Sequence, residues 1–328
     1  MPPASIRVLY VLGIYHSGTT LLGNLTGQLD GFFSVGELRT VWRKLAIPAT
    51  KCGCGKKLAD CPVWGEIFHT AFGNVDLAAF GTHMWRLQRE TLHEFHTWLR
   101  VPALLHRTRR GLPPGTSLAR YADAMGRLYR GICQVTGADV IVDSSKEPTD
   151  AALLLRMPQV HARFVQIVRD PRGTAYSIVR LRSGDRPALE TRWRDSAYAA
   201  LSWSAGNLAA SAVRRAAGPA RSALIRYEDF IAGPAQTVAA MAQLADQPRE
   251  LAVHGEPGVV TIRPTHTVGG NNNRFRTGQI MLREDTEWRQ RLPRLDRAAV
   301  TAVSLPLMAC YGYRPQGMRR RAPTGLPA

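Results

Sequence analysis

The 328-residue chain has few cysteines, few acids and no long apolar run. Five cysteines, an odd number, do not make a disulfide scaffold. The stretch Val8-Leu9-Tyr10-Val11-Leu12 falls far short of the ~20 apolar residues that cross a bilayer, so no membrane span is expected. That stretch runs into Gly13 with no small-residue cleavage pattern, which argues against a signal peptide and for a cytoplasmic protein. Acids are outnumbered: 43 Lys+Arg against 25 Asp+Glu leave a net charge of +18. The surplus points to an anionic partner without saying whether it is nucleic acid, a membrane surface or a small polyanion. With 45% hydrophobic residues the chain can bury a substantial core, and global disorder is excluded.

Residues 6–12 are aliphatic and β-branched and end at Gly13, the pattern of a buried parallel strand. Leu21, Leu22, Leu25 and Leu29 then recur at helical spacing from Thr19 to Leu29. Strand signals return at 140–142, 164–168 and 223–226, each followed by a polar loop and a helical pattern. This order predicts an α/β fold, a P-loop-like parallel sheet flanked by helices. Residues 46–82 read as an irregular Pro- and Gly-containing insertion, and 83–108 and 117–136 as amphipathic helices. We therefore expect one domain over 1–315 with a largely helical cap at about 40–135, followed by a disordered basic Pro/Gly-rich tail at 316–328.

In parallel sheets ligands bind beyond the carboxyl ends of the strands, so chemistry is sought in the loops that follow them. The first loop, Gly13 to Thr20, contains His16-Ser17-Gly18-Thr19-Thr20 and has the glycine spacing of a phosphate loop. Its backbone N–H groups and helix N-terminus suit a phosphate, but Thr19 stands where a nucleotide triphosphatase places its lysine. The second loop, Asp143-Ser144-Ser145-Lys146-Glu147-Pro148, puts a lysine at a strand end just before a helix start. In the third, Arg169 and Ser177 lie eight residues apart, so a long and a short side chain can share one phosphate. A blander reading leaves Arg169 on the surface paired with Asp170. A late amide-rich loop, Gly269 to Gly278, carries Arg274 and Arg276 and is suited to closing over an anion.

Taken in order, these segments resemble the sulfotransferases that use 3′-phosphoadenosine-5′-phosphosulfate (PAPS), in the bacterial and tyrosylprotein-type branch. The resemblance rests on Ser17-Gly18-Thr19-Thr20, Gly36-Glu37-Leu38-Arg39, Ser145-Lys146-Glu147-Pro148, the Arg169 to Ser177 segment, Arg226-Tyr227-Glu228-Asp229 and Arg274-Phe275-Arg276-Thr277-Gly278. It implies that Ser17, Gly18, Thr19 and Thr20 cradle the 5′-phosphosulfate, and that Arg169 and Ser177 hold the 3′-phosphate with Arg274 and Gly278 on its other side. It places Tyr227 on the adenine, Glu37 as general base and Lys146 on the charge of the transferring group. Read without the resemblance, Glu37 is a helix-starting carboxylate paired with Arg39. His16 stands where the family usually carries Arg or Lys, so it either becomes protonated by the bound donor, leaves charge stabilisation to Lys146, or itself takes the acceptor proton. The implied reaction is transfer from PAPS to the hydroxyl of a small-molecule acceptor (sugar, lipid, phenol or peptide tyrosine), with no metal required and no nucleic-acid partner.

Two other readings compete. A P-loop kinase or nucleotidase needs the loop lysine that Thr19 replaces, and Asp143 is a loose candidate for its metal-holding acid. A nucleic-acid-binding protein is suggested by charge alone, and the arginines are scattered among Ala, Gly and Pro without a binding motif. Cys52, Cys54 and Cys61 form a close cluster that lacks a clear fourth metal ligand; His69, eight residues beyond Cys61, is the nearest candidate. The favoured reading is a compact Gly-rich loop of buried or paired thiols. Cys133 and Cys310 are expected to be small core residues. The tryptophans of the cap and neighbouring segments, Trp42, Trp64, Trp85, Trp98, Trp193 and Trp203, are expected mostly in the core.

Overall fold

The computed structural model describes residues 6–47, 50–92, 100–183, 193–251 and 258–314. The expected tail and Trp98 lie outside the described residues. Five parallel strands form the central sheet in the order β2-β3-β1-β4-β5, with β1 Ile6–Gly13, β2 Phe32–Gly36, β3 Val140–Lys146, β4 Val160–Val168 and β5 Ser222–Arg226. Alternate side chains of β1 enter opposite cores: Val8, Tyr10 and Leu12 pack on one face, Leu9 and Val11 on the other. A strand covered on both faces must be apolar throughout, which is why this run shows no polar alternation.

The helix after β1, α1 (Thr19–Thr26), ends at Gly27, whose N–H bonds the Gly23 carbonyl. The cap comprises α2 (Val41–Leu45), α3 (Pro62–Phe72), α4 (Leu77–Leu92), α5 (Val101–Arg107) and α6 (Ser117–Thr136). The stretch 46–82, expected to be an irregular insertion, instead holds α3 and the start of α4. Pro62 at the first turn of α3, where its missing N–H costs nothing, starts a helix rather than breaking one. Edge strand β2 and the antiparallel pair β6 (Val259–Ile262) and β7 (Gly278–Met281), each four or five residues long, add to the strands expected from the sequence.

On the carboxyl side of the sheet, α7 (Pro148–Leu154) follows β3, α8 (Pro171–Ser183) follows β4, and α9 (Trp193–Ala217) leads to β5. The chain continues through α10 (Tyr227–Ala232), α11 (Pro234–Leu244), α12 (Trp288–Arg291) and α13 (Arg294–Cys310). Trp42, Trp64 and Trp203 are fully buried, whereas Trp85 is half-buried. Cys133 is half-buried and packs against the core, as expected in part, whereas Cys310 is exposed at the C-terminal end of α13 and is not the core residue expected. Among the described residues no helix is long and apolar enough to cross a membrane.

Candidate active site

Parallel strands β1, β3 and β4 adjoin one another, so the three loops singled out in the sequence meet at one edge of the sheet. The turn after β1 is tight: Ser17 N–H and Oγ both donate to the Ile14 carbonyl, at 3.1 and 2.6 Å. Gly18, at the N-cap of α1, has φ +90°, and a side chain there would strike the Tyr227 ring at 2.7 Å. Glycine is required twice over, by backbone conformation and by the ring. Tyr227, at the start of α10, sets its Cδ2–Cε2 edge beside Gly18, and the Arg169 guanidinium lies over its ring with Cζ 4.8 Å from the centroid. Thr19 is buried, and Thr20 Oγ1 accepts from the Asn271 N–H at 3.3 Å, so the late loop touches the phosphate loop.

Arg169 stands where β4 ends. Its Nη1 donates to the His16 carbonyl at 2.9 Å and to Ser177 Oγ at 3.3 Å, so the eight-residue spacing does bring the two side chains together. Its Nη2 pairs with the Asp285 carboxylate at 2.9 Å. Asp170, the partner of Arg169 in the blander reading, pairs instead with Arg172 at 2.6 Å. The Arg169 carbonyl accepts from Trp203 Nε1 at 2.9 Å, which fixes the backbone from the opposite side.

Glu37 and Lys146 form an ion pair between the ends of β2 and β3, with side chains 17% and 10% exposed. Lys146 Nζ also lies 5.1 Å from the Tyr15 ring centroid. Arg39 is not the partner of Glu37: it pairs with Asp150 at 2.7 Å, and its N–H donates to Ser145 Oγ at 2.9 Å. Beneath the pair, Asp143 accepts from Tyr129 Oη at 2.6 Å, from Ser145 Oγ at 2.5 Å and from Ser145 N–H at 2.9 Å. Burial raises the Asp143 pKa to about 6 against these donors. Asp143 is therefore a strut that holds the turn before Lys146, and its oxygens are already engaged. Arg39, Asp150 and Ser145 lock the Glu37 segment onto that strand end. This locking role has no local signal in the sequence, because Arg39 meets Ser145 and Asp150 more than a hundred residues away.

His16 and Lys146 both have left-handed backbone conformations, φ +68° and +73°. Such angles cost a non-glycine residue about 1–2 kcal/mol, and the two lie where the site is assembled. Burial, then the positive charges of Arg169, Lys146 and Arg180, pushes the His16 pKa down to about 4, leaving the ring neutral at pH 7. Arg274 is buried, and its guanidinium donates to the carbonyls of Val268 at 2.7 Å, Lys51 at 3.0 Å and Thr267 at 3.4 Å. It thus cross-links loop backbones. Gly278 is exposed at the start of β7, with φ +92°. His69, the nearest candidate for a fourth ligand to the three cysteines, is exposed on α3, and it is His266, not singled out in the sequence, that reaches Cys61 and Cys52.

The five-stranded parallel sheet, the glycine turn after β1 and the cations at the ends of the neighbouring strands define a P-loop-like α/β protein. A family model described as the sulfotransferase family matches residues 9–250, and the chain belongs to that family. It is accordingly a sulfotransferase. Its fold is similar to that of the sulfotransferase domain of the Synechococcus PCC 7002 olefin synthase, with 17% identity, a TM-score of 0.50, and 94% of this chain and 95% of that one covered. A sulfotransferase from Mycobacterium avium matches with 16% identity and a TM-score of 0.47, covering 96% of this chain and 79% of that one. A sequence search of curated proteins returns no match.

Proposed function

We propose that the chain moves the sulfuryl group of PAPS to an acceptor hydroxyl by in-line displacement, forming a sulfate ester and 3′-phosphoadenosine-5′-phosphate. One observation carries the reading: the Glu37–Lys146 pair stands beside the phosphate loop, and Arg169 with Ser177 stands on the loop's other strand neighbour, β4. A donor with phosphates at both its 5′ and 3′ ends fits this division. Ser17, Gly18, Thr19 and Thr20 would hold the 5′ end at the N-terminus of α1, and Arg169 and Ser177 the 3′-phosphate. Tyr227, whose ring already packs on Arg169 and Gly18, offers a face to the adenine. The Arg274 contribution implied by the resemblance is indirect here, through the loop backbones its guanidinium holds.

Glu37 takes the proton as the acceptor oxygen forms its bond to sulfur, a role that contributes about 10²–10⁴-fold in general base catalysis. Lys146 faces the charge that builds on the oxygen leaving sulfur, where loss of one donor costs about 3–4 kcal/mol. An ammonium has three N–H donors, so Lys146 can orient Glu37 and meet that oxygen together. Neutral His16 serves as a hydrogen-bonding neighbour, and charge stabilisation rests on Lys146.

The test is thermal stability with 3′-phosphoadenosine-5′-phosphate against ADP, which lacks the 3′-phosphate. At ~100 times its dissociation constant the first should add about 2.7 kcal/mol, and ADP much less. Equal shifts, or none, would remove the donor assignment. Transfer of labelled sulfur from PAPS to sugars, lipids, phenols and tyrosyl peptides then defines the acceptor.

A further inference from the structure

The geometry points to a structural zinc site formed by Cys52, Cys54, Cys61 and His266, which joins the cap to the loop that closes on the phosphate loop. The four ligand atoms all lie within 4.8 Å of one another. Cys54 Sγ to Cys61 Sγ is 3.8 Å, and His266 Nδ1 is 3.3 Å from Cys61 Sγ and 3.9 Å from Cys52 Sγ. A tetrahedral zinc with Zn–S of ~2.3 Å and Zn–N of ~2.05 Å requires S···S of ~3.8 Å and S···N of ~3.6 Å. The observed separations match the first and bracket the second. All five cysteines, these three included, are free thiols, so no disulfide holds the cluster together.

The loop around the sulfurs is built as a ligand turn. Lys51 and Lys57 pair as a β-bridge, Cys52 N–H donates to the Lys56 carbonyl at 2.8 Å, and Gly55 turns the chain at φ +88°. Three thiolates around a dication carry one net negative charge, and Lys51, Lys56 and Lys57 flank it in sequence. Cys52 and Cys61 are buried, and four protein ligands leave no open position, so the ion is structural and not catalytic.

What it secures is specific. His266 opens the segment that runs to Gly269 and Arg274, and its carbonyl accepts from Trp64 Nε1 at 2.5 Å. Gly53 N–H donates to the Thr267 carbonyl at 2.9 Å, Lys44 Nζ to Val268 at 2.9 Å, and Glu37 N–H to Gly269 at 3.2 Å. The ion thus pins the backbone against which the Glu37 segment rests. This inference stands on the sulfur cluster alone and does not depend on the donor or acceptor proposed above.

Protein purified without chelator or added metal is expected to carry one zinc per chain by elemental mass spectrometry. His69→Ala should keep it, and Cys54→Ser and His266→Ala should lose it. His266→Cys, which restores a four-ligand set, should regain it. Should the losing variants fail to fold, cobalt titration of the metal-stripped wild type decides: intense tetrahedral visible bands with thiolate-to-metal charge transfer are expected. Metal removal should also speed hydrogen exchange at the Gly53 and Val268 amides. Wild type without zinc and without cobalt–thiolate absorption, or with an intramolecular disulfide among the three cysteines, would overturn the site.

Discussion

Replacing Lys146 tests both the chemistry and the backbone of the site in one experiment. Lys146→Ala removes the ammonium from an ion pair whose side chains are only 10% and 17% exposed, leaving the Glu37 carboxylate without its partner. Breaking a fully buried pair costs about 3–5 kcal/mol. Partial solvent contact reduces this to about 2 kcal/mol at this site. The loss of a donor facing the leaving oxygen should lower turnover by about 10²–10³-fold. Lys146→Gly deletes the same ammonium but also relieves the left-handed backbone at φ +73°. Allowing for the larger unfolded-state entropy of glycine, the Gly variant should be about 1 kcal/mol more stable than the Ala variant. In a domain of this size that is a difference of ~2 °C in melting temperature, readable by calorimetry. Turnover, measured with labelled PAPS, should fall equally in both. A Gly variant no more stable than Ala would refute the strain argument, and near-normal turnover in both would refute the role of Lys146.

Arg169→Gln should weaken binding of 3′-phosphoadenosine-5′-phosphate by about 10–100-fold, the worth of a hydrogen-bonded charge, while ADP affinity changes little; isothermal titration with both ligands checks this. The Trp203 bond to the Arg169 carbonyl is untouched by the change, so the fold should persist. Gly18→Ala forces a Cβ to 2.7 Å from the Tyr227 ring and a side chain to φ +90°, and should cost about 2 kcal/mol or more in denaturant unfolding together with most nucleotide binding. His16, with a folded pKa of about 4 below the 6.5 of an exposed histidine, binds its proton more readily in the unfolded chain. Its contribution to stability is therefore lost as pH falls from about 6.5 towards 4, whereas buried Asp143, raised to about 6, acts in the opposite sense over much of that range. Melting temperatures of wild type and His16→Gln should accordingly diverge in the variant's favour as pH drops through this window; parallel curves would count against the neutral histidine.

Much of the scaffold could be read along the chain because its signals are local. The apolar run of β1, the glycine at the N-cap of α1, and a lysine or arginine closing β3 and β4 each fall within a few residues of one another. The same holds for Arg169 and Ser177, which one turn and two helical turns bring to 3.3 Å. Other elements were harder: β2, Phe32–Gly36, holds a serine and a glycine among its five residues and so lacks an unbroken aliphatic run, and α3 begins at a proline that can equally mark a loop. Neither blander pairing forms: Arg39 goes to Asp150 and Glu37 to Lys146 because the ends of β2 and β3 converge, while Asp170 is taken by Arg172 two residues on and Arg169 by Asp285.

Composition, periodicity and turn residues were enough to specify a parallel α/β sheet with a lysine-free phosphate loop, since those properties depend on a residue and its near neighbours. Which side chains meet across the site was a matter of packing. Lys146 finds Glu37 across 109 positions, and His266 rather than nearby His69 meets the three cysteines, because α3 turns His69 outward while β2 draws the 266–269 segment against its end. Arg274 gives its guanidinium to loop carbonyls for the same reason: buried backbone oxygens lie within its reach, and leaving them unpaired would cost more than the arginine's exposure to solvent would return.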